Sequence, residues 1–129
     1  MRFLLDTHTA IWAVSDSARL PIHVRELILD EANTLFVSAA SVWEIAVKHL
    51  LGKVSAPPFS GWEAVRLFRA AGYTLVDVTP EVAAGIEDHP IQHADPFDRL
   101  ILTLSLDAAM PLITHDRQLA AYSDTVITF

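Results

Sequence analysis

Acidic residues occur at four widely separated points where an apolar segment gives way to a predicted helix. They lie in the segments Leu4-Leu5-Asp6-Thr7, Ser41-Val42-Trp43-Glu44, Asp95-Pro96-Phe97-Asp98 and Thr114-His115-Asp116. In an open parallel sheet all strands end at the same edge, and ligands bind in the crevice there. Carboxylates brought to one edge would form an oxygen-lined pocket, which suits Mg²⁺ or Mn²⁺ and the phosphate groups that these ions bind.

Several of these acids also have a simpler structural explanation, which is helix capping. Asp6 and Asp116 follow apolar segments and could each cap the next helix. Asp95 precedes Pro96, a pairing that is typical of an N-cap followed by proline at the first helical position. For each acid taken alone, capping is therefore a sufficient interpretation.

Two features favour a metal site over capping. Glu44 lies in the apolar segment 42–47, where a charge needs a partner or a metal ion, although its position three residues after Ser41 also fits a capping box. Asp95 and Asp98 are three residues apart, so their carboxylates would repel each other on one helix face. A cation between them would remove that repulsion.

The composition predicts one globular domain spanning residues 1–129, which is long enough to bury a substantial core. Mean hydropathy is +0.35, but the most apolar stretch, 100–114, contains Asp107 and Pro111 and is too short to span a bilayer. Asp6 follows the first apolar residues at once, so no secretory segment is expected. The chain has no cysteine, which excludes disulfides, thiol nucleophiles and cysteine-based zinc sites. We therefore expect a cytoplasmic protein without a membrane anchor.

The formal net charge of −7 at first argues against a nucleic-acid ligand, because phosphates are normally neutralised by lysine and arginine. Divalent cations held by the acids would return positive charge to the site. Basic residues also lie close to the acids in sequence, with Lys48 one helical turn after Glu44 and with Arg99 and Arg117 directly after Asp98 and Asp116. Ordinary solvated charges or helix ion pairs remain the alternative for each of them.

Short apolar segments alternate with periodic ones along the chain. The strands are predicted at 2–6, 35–38, 74–78, 111–114 and 126–129. The helices are predicted at 9–14, from Pro21, at 40–51, from Trp62 until Gly72, at 80–86, at 96–109 and at 117–122. Near-continuous apolar strands separated by helices indicate an α/β fold, with a parallel sheet covered on both faces.

The four acidic segments resemble those of PIN-domain ribonucleases, and in particular of the VapC-type toxins of bacterial and archaeal toxin–antitoxin pairs. The similar motifs are residues 4–8, 38–45, 95–100 and 112–116, in the order of the family, and the resemblance extends over essentially the whole chain. It implies a Rossmann-like three-layer α/β/α sandwich with a mostly parallel central sheet. It also implies metal-dependent endoribonuclease activity, in which Mg²⁺ or Mn²⁺ activates a water molecule.

The resemblance also implies roles for individual residues. The acidic tetrad of the family falls on Asp6, Glu44, Asp98 and Asp116, and Thr114 is the hydroxyl companion of the last acid. For the third motif we favour Asp98 as the metal ligand and Asp95 as a cap or outer-shell residue, and whether one or two ions bind is left open. Arg99 would contact the RNA backbone or anchor an acid. The identity of the RNA is open as well.

Histidines and partners complete these expectations. His8, His93 and His115 lie beside the acidic segments but have no zinc-type spacing, so they are not counted as catalytic. The resemblance predicts a homodimer and a cognate antitoxin, a small DNA-binding protein. A basic antitoxin peptide could enter the acidic pocket, and Trp12 and Leu27 on the early helices are candidates to bind its apolar segment.

Two other classes of protein also place aspartate at strand ends. A haloacid-dehalogenase-like phosphatase needs a second acid two residues after the nucleophile, and that position is His8. A receiver domain needs a lysine late in the sheet, whereas the last lysine is Lys53. The remaining alternative is a non-catalytic binding module that has kept the fold without the chemistry.

Overall fold

The computed structural model describes residues 1–89 and 95–129, in which five parallel strands form one sheet. The strand order is β3-β2-β1-β4-β5. The strands are β1 (Arg2–Leu5), β2 (Thr34–Ser38), β3 (Thr74–Val76), β4 (Leu112–Thr114) and β5 (Val126–Thr128). Leu5 pairs with Val37 of β2 and with Ile113 of β4, so that Asp6 leaves the sheet beside Thr114.

Helices cover both faces of this sheet. They are α1 (Thr7–Val14), α2 (Ile22–Leu29), α3 (Ala39–Leu51), α4 (Gly61–Ala70), α5 (Pro80–Ala84) and α6 (Pro96–Asp107), with 3-10 helices at Gly85–Asp88 and Arg117–Tyr122. Leu5 and Ile113 face one core with residues of α1 to α4, whereas Leu4 and Leu112 face a second core with residues of α6. This alternation confirms the predicted three-layer α/β/α sandwich with a parallel sheet.

Element boundaries follow from local chemistry. α1 begins at Thr7, earlier than predicted, because the Asp6 carboxylate accepts a hydrogen bond from the Thr9 amide and caps the helix. Gly52 ends α3 in the left-handed conformation, with φ of 61°. The strand predicted at 74–78 ends at Val76, because Thr79 already caps α5.

A glycine allows α4 to approach α3 closely. A Cβ added to Gly61 would lie 2.7 Å from the Cβ of Ala46. α4 therefore begins directly against the middle of α3. Among the described residues, no helix is long and apolar enough to cross a membrane.

Candidate active site

The strand order places a crevice between β1 and β4. In the sheet, β2 and β3 lie on one side of β1, and β4 and β5 lie on the other side. Ligands of open α/β sheets bind outside the carboxyl ends of the strands at such a reversal of order. Asp6 follows β1 and Asp116 follows β4, so both predicted acids lie at this point.

Three of the predicted acids line one cavity of about 490 Å³ at this edge. Asp6 follows β1, Asp98 lies in the first turn of α6, and Asp116 follows β4. The other lining residues are His8, Trp12, Arg19, His115, Arg117 and Gln118. We call this space the acidic cavity.

Asp6 is the most constrained of these acids. It is only 4% exposed, and its carboxylate accepts hydrogen bonds from the Thr9 amide at 2.8 Å and from the Thr114 hydroxyl. Burial raises the pKa of Asp6, and the hydrogen bonds from Thr114 and Thr9 partly offset that rise. Asp6 is therefore both the cap of α1 and a wall of the acidic cavity.

Thr114 connects two of the acids. Its fully buried hydroxyl donates to Asp6 Oδ2 and accepts the backbone N–H of Asp116 at 3.0 Å. Asp116 Oδ1 in turn accepts the Gln118 amide at 2.9 Å and caps the following 3-10 helix. The capping interpretation and the cavity interpretation thus hold together for Asp6 and for Asp116.

Glu44 does not line the acidic cavity, unlike the other three acids. It lies in the second turn of α3, because Ser38, and not Ser41, caps this helix. The capping-box explanation for Glu44 is therefore wrong, as is its expected place at the end of a strand. Glu44 is 2% exposed and lines a neighbouring cavity of about 340 Å³.

Two side chains contact the Glu44 carboxylate, and a third contacts one of those two. Thr7 donates its hydroxyl proton to Oε1 at 2.7 Å, and Lys48 approaches Oε2 at 2.5 Å as an i,i+4 ion pair. The Ser41 hydroxyl lies 2.9 Å from that of Thr7. We call this second space the Glu44 cavity; it shares His8, Trp12 and Arg19 with the acidic cavity.

Asp95 and Arg99, the two residues expected to support the acids, lie in different surroundings. Asp95 is the N-cap of α6, because its Oδ1 accepts the amides of Phe97 and Asp98 at 2.8 and 3.3 Å. Arg99 does not line the acidic cavity, and its Nε is buried without a hydrogen-bond partner among the described residues. His8 and His115 both line the acidic cavity, whereas His93 lies outside the described residues.

The donor set suits a hard divalent cation. Asp6, Asp98 and Asp116 offer oxygen atoms alone, the ligand type that Mg²⁺ and Mn²⁺ prefer. Within residues 1–89 and 95–129, no three acidic or histidine side chains are already grouped closely enough to hold an ion. Mg²⁺ commonly binds through one or two carboxylates and keeps several water ligands, so these residues fit such an ion.

Sequence reasoning did not identify every residue at this edge. Thr7, which contacts Glu44, and Ser41, which contacts Thr7, belong to two of the acidic segments but were not predicted to support an acid. Trp12 was expected on an outer helix surface but lines both cavities, and Leu27 packs half-buried against a core. Arg19 lies in a loop and has no sequence pattern that would have indicated it.

Together, the sheet order and the acidic crevice define a Rossmann-like α/β/α protein with an acidic site at the carboxyl edge. Residues 3–124 match the family model of the PIN domain. The chain belongs to the PIN-domain family. Proteins of this family are generally nucleases.

Solved structures show the same fold at low sequence identity. A chain of the VapBC2 crystal structure from Rickettsia felis, bound to a DNA fragment from its promoter, superposes with a TM-score of 0.70 at 12% identity, covering 100% of this chain and 98% of that one. A protein of Pyrobaculum aerophilum gives 0.58 at 17% identity, covering 99% and 83% of the two chains. A domain from Methanocaldococcus jannaschii gives 0.56 at 15%, covering 93% and 81%. No curated protein matches this chain significantly.

Proposed function

We propose that this chain is a VapC-type toxin, a single-domain endoribonuclease that depends on Mg²⁺ or Mn²⁺. One observation carries the proposal: three carboxylates from separate elements line one cavity at the strand-order reversal of a PIN fold. A chain of similar fold occurs in the VapBC2 structure, which supports the toxin assignment. A set of three carboxylates of this kind suits phosphodiester hydrolysis assisted by a divalent ion.

The acids and their neighbours would have different roles in this reaction. Asp6, Asp98 and Asp116 would hold the ion, which when bound supplies an activated water and charge neutralisation at the phosphate. Thr114 fixes the orientation of Asp6 and the backbone of Asp116 through its hydroxyl. Glu44 would complete the acidic set from the neighbouring cavity, where Thr7 and Lys48 orient it.

Protein partners are part of the same proposal. A groove of about 570 Å³ between α3 and α4 is lined mainly by apolar side chains, and Trp43 and Trp62 are 63% and 87% exposed there. Exposed apolar surface of this kind marks interaction sites. We propose a cognate antitoxin, homodimerisation and a cytoplasmic location, where RNA and such an antitoxin are both available. Copurification with the product of the neighbouring open reading frame, followed by light scattering of the isolated chain, tests both partners.

End-group analysis of cleaved RNA tests the chemistry. The purified chain is incubated with RNA in Mg²⁺, in Mn²⁺ and in EDTA. We expect cleavage only with metal, leaving a 5′-phosphate and a 3′-hydroxyl, because water and not the 2′-hydroxyl is the nucleophile. Cleavage that persists in EDTA and yields a cyclic phosphate would exclude this mechanism.

A matched pair of variants excludes a contaminating nuclease. Asp98→Asn neutralises an acid of the cavity, and Asp124→Asn removes the same charge from an exposed residue outside it. Only Asp98→Asn should abolish cleavage. Equal activity of both variants and the parent would contradict the assignment of the acidic cavity as the site.

A further inference from the structure

Trp12 lies at the centre of a group of rings beside the acidic cavity. Its ring centroid is 5.8 Å from that of His8 and 5.3 Å from that of His115. Phe129 lies 6.2 Å away and closes the group on the side of β5. Trp12 is only half-buried, so part of this large aromatic surface remains open to the cavities.

A cation covers the same ring. The guanidinium carbon of Arg19 lies 5.6 Å from the Trp12 centroid, within the range of a cation–π contact. Arg19 is exposed, and within residues 1–89 and 95–129 it forms no ion pair with a carboxylate. Its charge is therefore available to an anion that enters from solvent.

His8, Trp12 and Arg19 also separate the acidic cavity from the Glu44 cavity, since they line both. In the Glu44 cavity the Glu44 carboxylate is already paired with Lys48. Because Arg19 is a second cation in the same lining, the lining has an excess of positive charge. An extended polyanion that occupies both cavities passes the three residues that line both, with Trp12 among them. Aromatic rings beside cations are the means by which proteins bind single-stranded nucleic acid, because bases stack on the rings and phosphates pair with the cations.

We propose that His8, Trp12 and Arg19 form a nucleotide subsite next to the cleaved bond. A base of single-stranded RNA stacks on Trp12, and its phosphate binds the Arg19 guanidinium. The subsite rests on the proposed nuclease function and adds to it a preference for unpaired RNA, because a base within a duplex cannot stack on a side chain.

Fluorescence of Trp12 reports on stacking directly. The variant Trp43→Phe/Trp62→Phe leaves Trp12 as the sole tryptophan, since the chain has three, and Asp98→Asn is added to prevent cleavage. We expect a single-stranded oligoribonucleotide in Mg²⁺ to quench this fluorescence saturably. Inorganic polyphosphate of similar charge should compete for Arg19 without quenching, because it has no base.

Affinity measurements separate the contributions of base and phosphate. Trp12→Leu should weaken oligoribonucleotide binding by roughly 5- to 150-fold and Trp12→Phe by less, as expected for the loss of one base stack. Arg19→Ala should reduce the salt dependence of binding by about 0.7 in log–log slope, the value for one phosphate contact of a single strand. Leu51→Ala, at an exposed apolar residue that lines neither cavity nor the groove between α3 and α4, is the control. In cleavage assays the Trp12 variants should raise KM more than they lower kcat.

The outcomes distinguish the subsite from the nuclease function. RNA cleavage without quenching, or with unchanged affinity in both Trp12→Leu and Arg19→Ala, would overturn the subsite and leave the nuclease function standing. Quenching and binding without any cleavage by the parent chain would overturn the nuclease function alone, and the absence of both would overturn both. If Trp12→Leu abolishes antitoxin capture while oligoribonucleotide binding is unchanged, the rings serve a protein partner and the subsite is wrong.

Discussion

The hydroxyl of Thr114 donates a hydrogen bond to Asp6 Oδ2 across a separation of 108 residues in the chain. The hydroxyl oxygen of Thr114 also accepts a hydrogen bond from the Asp116 amide. One buried hydroxyl therefore orients residues from the ends of two neighbouring strands. Residues that orient metal ligands in this way commonly contribute 10- to 100-fold to metal affinity or activity.

Thr114→Val is expected to lower the rate of RNA cleavage by roughly 10- to 100-fold while keeping the shape of the side chain. It also leaves Asp6 Oδ2 without its donor, which should cost about 1–3 kcal/mol of unfolding free energy. Thr114→Ser keeps the hydroxyl and should retain most of the cleavage rate and most of the unfolding free energy. Urea titrations and cleavage rates measure the two effects, with the exposed Thr74→Val as control; equal behaviour of Thr114→Val and Thr114→Ser would refute the role of the hydroxyl.

Stability should depend on pH through Asp6. Because burial raises the pKa of this carboxyl above its ordinary value of 3.8, the folded state binds a proton that the unfolded state lacks between the two values. The contribution of Asp6 to the unfolding free energy therefore falls as pH rises through that window. Asp6→Asn does not titrate, so in EDTA it should melt at a higher temperature than the parent near neutral pH, and the difference should vanish below about pH 4. A difference in melting temperature that stays constant with pH would contradict the pKa shift.

Asp95 and Asp98 should respond oppositely to truncation. Asp95 caps α6, so Asp95→Ala is expected to lose about 1 kcal/mol of unfolding free energy and to keep the stabilisation by Mn²⁺. Asp98→Ala removes a carboxylate from the acidic cavity, so the variant should gain less thermal stability from Mn²⁺ than the parent does. Melting curves with and without Mn²⁺ test the pair. The reverse pattern would make Asp95 the ligand.

Lys48 should stabilise the fold through Glu44. Lys48→Met leaves a carboxylate that is 2% exposed without its cation, and we expect a loss of about 1–2 kcal/mol, because the lysine side chain is 36% exposed and the attraction is partly screened. In the double variant Glu44→Gln/Lys48→Met the unpaired charge is gone. It should therefore be more stable than Lys48→Met in urea titrations; strict additivity of the single changes would show that the ion pair contributes nothing.

The order and type of the elements could be predicted because each of the first four strands is a short apolar run that leads to a residue capping the next helix. Asp95 with Pro96 and Gly52 each mark a boundary through local backbone chemistry, and the structure has both boundaries. Spacing was a poorer guide for Glu44. Ser38 and Ser41 can each begin a helix, and the choice of Ser38 moves Glu44 one turn further into α3.

Contacts between distant segments could not be predicted in the same way. Trp12 has helical spacing in α1, which is equally typical of a core residue, a surface anchor or a cavity wall. Its surroundings are decided by His115 and Phe129, which reach it only after β4 and β5 have joined the sheet. Arg19 depends on the path of the loop after α1, for which the sequence offers no rule.

The strand order has a consequence for the synthesis of this chain. β1, β2 and β3 are adjacent in the sheet and lie within the first 76 residues, so they can pair while the chain is still being translated. Asp98, Thr114 and Asp116 leave the ribosome only afterwards, and until then Asp6 has no partner from β4. The acidic cavity therefore cannot form in a nascent chain until Asp98, Thr114 and Asp116 have been synthesised, and its assembly waits for the second half of the PIN fold.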